Sequence, residues 1–210
     1  MTSWLINGQA DVGLSPLDRG VSYGDGVFRT LKTRAGEPIW WADHYATLAR
    51  DCGALALVCP EQTMLLDEVR TVAQGTDRVI KIILTRGIGA RGYLPSDHSS
   101  PTRIVTAAPL PDYAQQAAHG IRVRWCRLRL ARQAELAGIK HLNRLQNVLA
   151  RKEWDDPTIA EGLLCDDTGA VIGGTMTRLF VMRDGELLTP DLSLSGVNGV
   201  TRSRILRAAK

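Results

Sequence analysis

The segment Val79–Thr85 constrains the fold most strongly, because its letters, VIKIILT, are mostly β-branched and apolar. Such a run predicts a β-strand with both faces covered by other parts of the chain. A chain of 210 residues is long enough to supply that cover, as one large domain or two small ones. The sequence therefore predicts a mixed α/β fold.

Apolar periodicity and turn residues predict the remaining elements. Strands are expected at Trp4–Asn7, Val27–Thr33, Ile39–Trp41, Thr102–Ala108 and Ile121–Cys126, and hairpins at Asp167-Thr168-Gly169 and Asp184-Gly185. Helices are expected after Asp43, over 60–74, over His141–Trp154 and from near Val200. Residues 111–120 form the predicted connector between a smaller domain, 1–110, and a larger one, 121–210, with a cleft suited to a cofactor.

Charge and hydropathy argue against two classes of partner. The net charge of +4 is too mild to indicate nucleic-acid binding. Arg122 and Arg124 alternate with apolar residues and are predicted to form the solvated face of a strand. No apolar run approaches the ~20 residues that span a bilayer, and residues 1–8 lack the pattern of a signal peptide.

Cysteine and histidine spacing argues against a metal site and a disulfide framework. The cysteines are Cys52, Cys59, Cys126 and Cys165, and none forms a close pair of the redox or metal-ligand type. They are predicted to be reduced, mostly buried thiols in a cytoplasmic protein. The histidines, which lack metal-ligand spacing, are His44, His98, His119 and His141.

Lys140 follows an apolar run that contains a glycine, Ala137-Gly138-Ile139, and precedes a predicted amphipathic helix. A lysine at such a junction is held by backbone on both sides. That suits covalent chemistry, since a Schiff-base lysine must lose its proton and meet one carbon of a carbonyl group. On spacing alone, an ordinary solvated lysine before a helix is the commoner case.

Four ordered segments resemble one enzyme family. Gly138–Leu145, GIKHLNRL, is similar to the cofactor-lysine segment of the aminodeoxychorismate lyases, pyridoxal-phosphate (PLP) enzymes of the class IV aminotransferase group. The other segments are Asp18-Arg19-Gly20 with Tyr23–Phe28, Thr85-Arg86-Gly87 with Arg91-Gly92-Tyr93, and Gly196–Arg202. The resemblance implies an α/β (α+β), two-domain fold like that of D-amino-acid aminotransferase. Relatives continue past the position of Lys210, so the chain is expected to be C-terminally short.

The resemblance also implies which residues bind the cofactor. Lys140 would carry PLP, with Asn143 in the same motif. Val200 and Thr201, which follow Gly199, would bind the phosphate. A glycine-rich loop entering a helix suits that task, because the backbone can approach the anion and the helix dipole favours negative charge. The spacing alone fits a plain turn before a helix equally well.

Three further residues would act on the substrate. Arg91 and Tyr93 would hold a carboxylate, for which the planar guanidinium is suited, and Thr30 would pass a proton or hold a water. The resemblance implies a homodimer that converts 4-amino-4-deoxychorismate to 4-aminobenzoate and pyruvate for folate synthesis. Lys140 would take a proton from the substrate, and Thr30 would assist proton delivery as the enolpyruvyl group leaves.

The chain also departs from the family at three positions. Gly173 replaces a glutamate that pairs with the pyridine nitrogen, and Arg178 replaces an asparagine, so that its charge would oppose protonation of that nitrogen. Thr47 replaces an arginine that contributes to phosphate binding. Two alternatives therefore stay open: a class IV aminotransferase for D- or branched-chain amino acids, and a non-catalytic relative.

Overall fold

The computed structural model describes residues 3–96 and 100–209 and divides the chain into two compact units. Unit 1 comprises Met1–Pro111 and Lys140–Leu142, and unit 2 comprises Asp112–Ile139 and Asn143–Lys210. Lys140–Leu142 thus belong to unit 1, although the predicted second domain contained them, because their backbone pairs with a strand of unit 1. His98 and Lys210 lie outside the described residues, and the expectations that involve them stay predictions.

Unit 1 is an antiparallel sheet with helices packed on it. Its elements are β1 (Ser3–Ile6), α1 (Arg19–Tyr23), β2 (Gly26–Arg34), β3 (Glu37–Pro38), α2 (Trp41–Ala54), α3 (Gln62–Ala73), β4 (Arg78–Thr85) and β5 (Thr102–Pro109). The strand order is β1-β5-β4-β2-β3. Helix α2 packs on β2, and α3 packs on β5 and β1.

One face of this sheet is the core of unit 1, and the other is open. Alternate residues of β2, such as Val27 and Leu31, are buried together with Ile80, Ile82 and Leu84 of β4. Residues between them point to the opposite face, because side chains alternate along a strand. That second face carries Phe28 and Thr30, and Thr30 is exposed. The open face is where β2 presents the predicted site residues.

Two predictions for unit 1 are wrong. Ile39–Trp41 is not a strand, because Trp40 adopts a left-handed φ of 57° and α2 begins at Trp41. The strand there is the two-residue β3. The strand Val79–Thr85 forms, but its second face is not fully covered, since Lys81 is exposed on it. The sheet is antiparallel, and antiparallel sheets commonly leave one face to solvent.

Unit 2 contains a three-stranded sheet, a separate hairpin and three helices among its described residues. Its elements are α4 (Ala114–His119), β6 (Arg122–Leu130), α5 (Leu145–Arg151), β7 (Ile159–Asp166), β8 (Val171–Gly174), β9 (Val181–Arg183), β10 (Glu186–Leu188) and α6 (Val200–Ala208). The sheet order is β6-β7-β8, with β6 parallel and β8 antiparallel to β7. Its buried core consists of Cys126, Leu130, Ala150, Trp154, Leu164, Ile172 and Leu192.

Two predictions for unit 2 also need correction. The helix predicted over His141–Trp154 is shorter, because residues 140–142 are held by unit 1 and α5 begins at Leu145. Arg124 does not lie on a solvated face, since its guanidinium lies 5.7 Å from the Trp154 ring and contacts Glu153. Arg122 is exposed, as predicted, but the apolar residues Val123 and Trp125 are exposed as well, Trp125 to 57%.

The four cysteines are free thiols, and Cys52, Cys126 and Cys165 are buried, as expected. Sequence spacing did not reveal that Cys52 and Cys59 meet where the chain leaves α2. A hydrogen bond from the Cys52 thiol lowers the pKa of Cys59 to about 7. Among the described residues, no helix is long and apolar enough to cross a membrane, and no group of three or more His, Cys, Asp or Glu could hold a metal ion.

Candidate active site

The backbone of Lys140 pairs with strand β2 in unit 1. The carbonyl oxygen of Lys140 accepts from the N–H of Phe28 at 2.9 Å, and the N–H of Leu142 donates to Gly26 at 2.9 Å. Gly26 cannot carry a side chain, because a Cβ there would lie 2.3 Å from the Leu84 carbonyl oxygen and 2.8 Å from the Leu142 side chain. Close backbone approach at Gly26 therefore fixes the lysine segment against the sheet.

The side chain of Lys140 lies over the open face of the sheet. Its Nζ is 4.4 Å from the centre of the Phe28 ring, within range of a cation–π contact. Thr30 points to the same face, because it lies two residues along β2 from Phe28. The structure thus brings the predicted lysine and the predicted threonine onto one face of one strand.

Two of the four family segments form one hydrogen-bonded cluster in unit 1. Buried Asp18 accepts from the hydroxyls of Thr85 and Thr102, at 2.9 and 2.6 Å. Asp25 accepts from both Arg19 and Arg86, at 2.9 and 2.8 Å. Burial raises the pKa of Asp25, but the two guanidinium groups outweigh it and hold the pKa below its usual value. The motifs therefore owe their spacing to one charged cluster.

Arg19 extends this cluster to the loop that carries Arg91 and Tyr93. Its guanidinium donates to the carbonyl oxygens of Gly92 and Tyr93, both at 2.8 Å. The Tyr23 hydroxyl accepts from the Gly92 N–H at 3.0 Å, and the rings of Tyr23 and Tyr93 lie 5.5 Å apart. Arg91 and Tyr93 themselves are exposed. The loop is therefore held through its main chain, and its side chains are left accessible.

The predicted phosphate loop in unit 2 leads into α6. Gly199 caps the helix in an extended conformation, Val200 is its first residue and is buried, and Thr201 is exposed. The same loop pairs with Gly138, whose N–H donates to Gly196 at 3.0 Å and whose carbonyl accepts from Asn198 at 2.9 Å. The loop is therefore bonded to the residue two positions before Lys140.

Arg178 lies at the start of α6. A Cβ on Gly199 would be 3.2 Å from Nη2 and 3.4 Å from Nε of Arg178, a tight contact that glycine avoids. Its Nε is buried and has no hydrogen-bond partner among the described residues. Burial and then the charge of Arg202 lower the pKa of Arg178. An anion at this helix start would satisfy the orphan donor and relieve the repulsion, so the donor set fits a phosphate.

The position that carries a glutamate in the resembling family is unsuited to one in this chain. Gly173 has a φ of 155°, which other residues rarely adopt, and a Cβ there would lie 3.3 Å from the Thr177 carbonyl oxygen. A carboxylate does lie nearby: Glu161 on β7 is buried, and a Cβ on Gly174 would lie 2.8 Å from it. Sequence reasoning missed Glu161, because its role depends on the register of the β7–β8 pairing, which when extended places residue 161 opposite residue 176.

Both oxygens of the Glu161 carboxylate accept hydrogen bonds, mostly from the turn that follows β8. Its Oε1 accepts from the N–H of Gly162, and from the N–H and hydroxyl of Thr175, at 2.8, 3.0 and 2.5 Å. Its Oε2 accepts from the N–H of Met176 at 3.1 Å. Glu161 therefore anchors the segment that leads to Arg178 and does not replace the glutamate absent at Gly173.

Asn143 and Thr47 are two further positions that the sequence singles out. Asn143 is exposed and belongs to unit 2. Thr47 lies in α2 of unit 1, where its hydroxyl donates to the Asp43 carbonyl oxygen at 2.7 Å, within its own helix. The hydroxyl of Thr47 is therefore used locally and does not take over the task of an arginine.

Comparisons with known proteins identify the family of the chain. A sequence model of the family "Amino-transferase class IV" matches residues 26–210. An aminodeoxychorismate lyase of Vibrio harveyi is 34% identical over 203 residues, covering 96% of this chain and 75% of that protein. A putative branched-chain-amino-acid aminotransferase of Methanocaldococcus jannaschii is 30% identical over 207 residues, covering 96% and 71%.

A solved structure gives the same result. The crystal structure of 4-amino-4-deoxychorismate lyase from Pseudomonas aeruginosa superposes with a TM-score of 0.92 at 44% identity. It covers 98% of this chain, which in turn covers 77% of that protein. The fold is therefore shared with a protein of known structure.

Proposed function

The chain belongs to the class IV aminotransferase family, and from that premise we propose that it is a PLP-dependent lyase that converts 4-amino-4-deoxychorismate to 4-aminobenzoate and pyruvate. The observation that carries the proposal is the pairing of Lys140 with β2, which presents the amine beside Phe28 and on the same face as Thr30. Bound PLP would supply an electron sink for the carbanion formed at the carbon that bears the amine.

Different residues of the chain would hold different parts of the cofactor. Lys140 would hold the cofactor through its Nζ, and Gly199, Val200 and Thr201 would hold the phosphate at the start of α6. Arg178 would add a guanidinium at that end. Asn143 would complete the cofactor contacts. Position 173 offers no carboxylate to the pyridine nitrogen.

The chemistry then requires two proton transfers. Lys140 would take the proton from the substrate carbon that bears the amine, and the enolpyruvyl group would leave with its electron pair. Thr30, or a water that it holds, would help to deliver the proton that turns this group into pyruvate. Arg91 and Tyr93 would hold a substrate carboxylate. Because the ring becomes aromatic during elimination, the reaction has a driving force that relaxes the demand on the pyridine nitrogen and makes Gly173 tolerable.

The proposal is tested by two assays on the same purified protein. With added PLP, borohydride reduction and peptide mapping should place the adduct on Lys140. Substrate should then yield pyruvate and 4-aminobenzoate in equal amounts. Transfer of an amino group from D-alanine or a branched-chain amino acid to a 2-oxoacid, without pyruvate release from 4-amino-4-deoxychorismate, would make the protein an aminotransferase. Failure to bind PLP would support the non-catalytic alternative.

We extend the proposal to the setting of the enzyme. Because the enzyme would release 4-aminobenzoate, we propose that it serves folate synthesis. Its four free thiols suit the reducing cytoplasm. We propose that it works as a homodimer and without nucleic-acid or membrane partners. Light scattering of the purified protein at several concentrations gives its mass, and a monomer at all of them would contradict the dimer.

Replacing Arg178 with asparagine is expected to weaken PLP binding about tenfold. A hydrogen bond to a charged group is worth ~1.5–3 kcal/mol, and 1.4 kcal/mol corresponds to a factor of ten. The dissociation constant is measured by titrating the PLP-free protein and following absorbance. Arg183→Asn on β9, an exposed position, is the matched control and should leave it unchanged. Equal affinity in Arg178→Asn and the unaltered protein would remove Arg178 from the phosphate site.

Replacing Arg19 with glutamine is expected to raise KM for the substrate about tenfold while PLP affinity stays the same. The loop of Arg91 and Tyr93 would lose two charge-assisted bonds to its main chain, each worth ~1.5–3 kcal/mol. Steady-state kinetics and a PLP titration separate the two quantities. Arg70→Gln, which removes an exposed ion pair with Glu37, serves as the control. A loss of PLP affinity at constant KM would show that Arg19 supports the fold and not the loop.

A further inference from the structure

Asp51 on α2 is a buried carboxylate that the proposed reaction does not use, and it touches the lysine segment directly. Its side chain is 0% exposed. Its Oδ2 accepts from the backbone N–H of Lys140 at 2.8 Å, across 89 residues of sequence. Helix α2 thus contacts the residue on which the proposed chemistry depends.

The N–H of Lys140 has its acceptor on α2. In a regular antiparallel ladder, the N–H and C=O of one residue point to the same neighbouring strand. The bridge between Val27 and His141 uses the carbonyl of Lys140 and the N–H of Leu142. In a regular ladder the N–H of Lys140 would bond to Phe28, but in this protein it donates to Asp51, and a donor removed from water without an acceptor is unfavourable. Asp51 supplies the acceptor.

Two arginines hold this carboxylate in place. The guanidinium of Arg29 on β2, itself 2% exposed, forms a buried ion pair with Oδ2. Arg50 donates to Oδ1 from Nε and Nη2, at 3.1 and 2.7 Å. The charges offset the cost of burying a carboxylate, and several donors fix its orientation. The acceptor offered to Lys140 is therefore rigid.

We propose that Asp51 is a positioning residue for Lys140. By holding the N–H, it fixes the backbone conformation at Lys140 and so the direction in which the side chain leaves the strand. The side chain is thereby directed over the Phe28 ring, where Nζ lies 4.4 Å from the ring centre. This inference rests on the proposed function, because it concerns the lysine that would carry PLP.

The test compares two double variants that both lack the charge of the ion pair. Arg29→Met with Asp51→Leu replaces the pair with apolar side chains of similar volume, a kind of change that proteins often tolerate. It leaves the N–H of Lys140 without its acceptor. Arg29→Met with Asp51→Asn restores an uncharged oxygen acceptor at the same position. Melting temperatures of both variants confirm that each is folded at the assay temperature.

The first double variant is expected to lose about 10–100-fold in kcat, because misplacing a reacting group by ~1 Å costs up to about 100-fold. Its KM should stay within about threefold of the starting value, and the second variant should recover most of kcat. Equal kcat in the two variants, high or low, would overturn the proposal, since the acceptor would then not matter. Glu68→Gln breaks another buried helix-to-strand ion pair of unit 1, with Arg103, and should leave kcat nearly unchanged.

A second measurement tests the inference without any activity. Amide hydrogen exchange of the peptide that contains Lys140 should be slow in the unaltered protein and in the asparagine variant. It should be at least about tenfold faster in the leucine variant. Exchange that is equally slow in both variants would overturn the proposal even if neither is active. A protein that protects this amide but forms no PLP adduct on Lys140 would instead contradict the proposed function.

Discussion

Replacing Lys140 with alanine is expected to lower the rate of pyruvate release by on the order of 10³-fold. The variant would lose the amine that holds PLP and the base that takes the substrate proton, and general acid–base catalysis alone contributes ~10²–10⁴-fold. The rate is measured by coupling pyruvate to NADH oxidation under single-turnover and steady-state conditions. Borohydride treatment of the same variant should trap no PLP at residue 140.

Lys81 provides a matched control within the same sheet. Its Nζ lies 5.0 Å from the centre of the Phe28 ring, against 4.4 Å for Lys140, so both ammonium groups contact one aromatic ring. Lys81→Ala should keep the PLP adduct and most of the activity. If Lys81→Ala abolishes the adduct and Lys140→Ala does not, the assignment of the cofactor lysine is wrong.

Replacing Glu161 with alanine is expected to lower the free energy of unfolding by ~3 kcal/mol at pH 7. The change leaves the N–H groups of Gly162, Thr175 and Met176, and the Thr175 hydroxyl, without their acceptor. Urea denaturation followed by fluorescence measures the difference. Glu186→Ala on β10, where the side chain is exposed, should change stability by less than about 0.5 kcal/mol.

The effect of Glu161→Ala should depend on pH in a defined direction. Burial raises the pKa of Glu161, but hydrogen bonds from Thr175, Gly162 and Met176 outweigh it, and the pKa lies below its usual value. A carboxyl with a lowered folded pKa stabilises fully above its unfolded pKa of ~4.3 and loses that contribution as pH falls through the folded value. The stability difference should therefore be constant near neutral pH and shrink below about pH 4. A difference that grows in acid would contradict this account.

Local sequence patterns predicted much of the fold, because strands and helices of unit 1 and the hairpins of unit 2 follow from short-range periodicity and turn residues. The Lys140–Leu142 segment did not follow, since its partner strand β2 lies more than 100 residues earlier in the chain. Its apolar spacing looks helical, and only the tertiary pairing overrides that propensity.

In the candidate site too, residues in contiguous motifs could be predicted, and residues that act on distant segments could not. Lys140, Val200 and Thr201 could be singled out because each lies in a contiguous segment that resembles a family motif. Asp51 and Glu161 could not, because each acts through backbone donors that are distant in sequence, at Lys140 and at Thr175. A charged residue in a helix or strand carries no local mark of such a partner. The position of Arg178 against Gly199 likewise depends on how β8 and α6 fold together.

Because Arg19 holds the loop that carries Arg91 and Tyr93 through the main chain, the side chains of that loop can vary. Arg19 bonds to this loop through the carbonyl oxygens of Gly92 and Tyr93, and every amino acid possesses such an oxygen. The side chains of Tyr93 and Leu94 are 86% and 91% exposed and contribute little to holding the loop. Their identities can therefore change while the loop keeps its course, so one scaffold can acquire new substrate preferences by exchanging surface side chains.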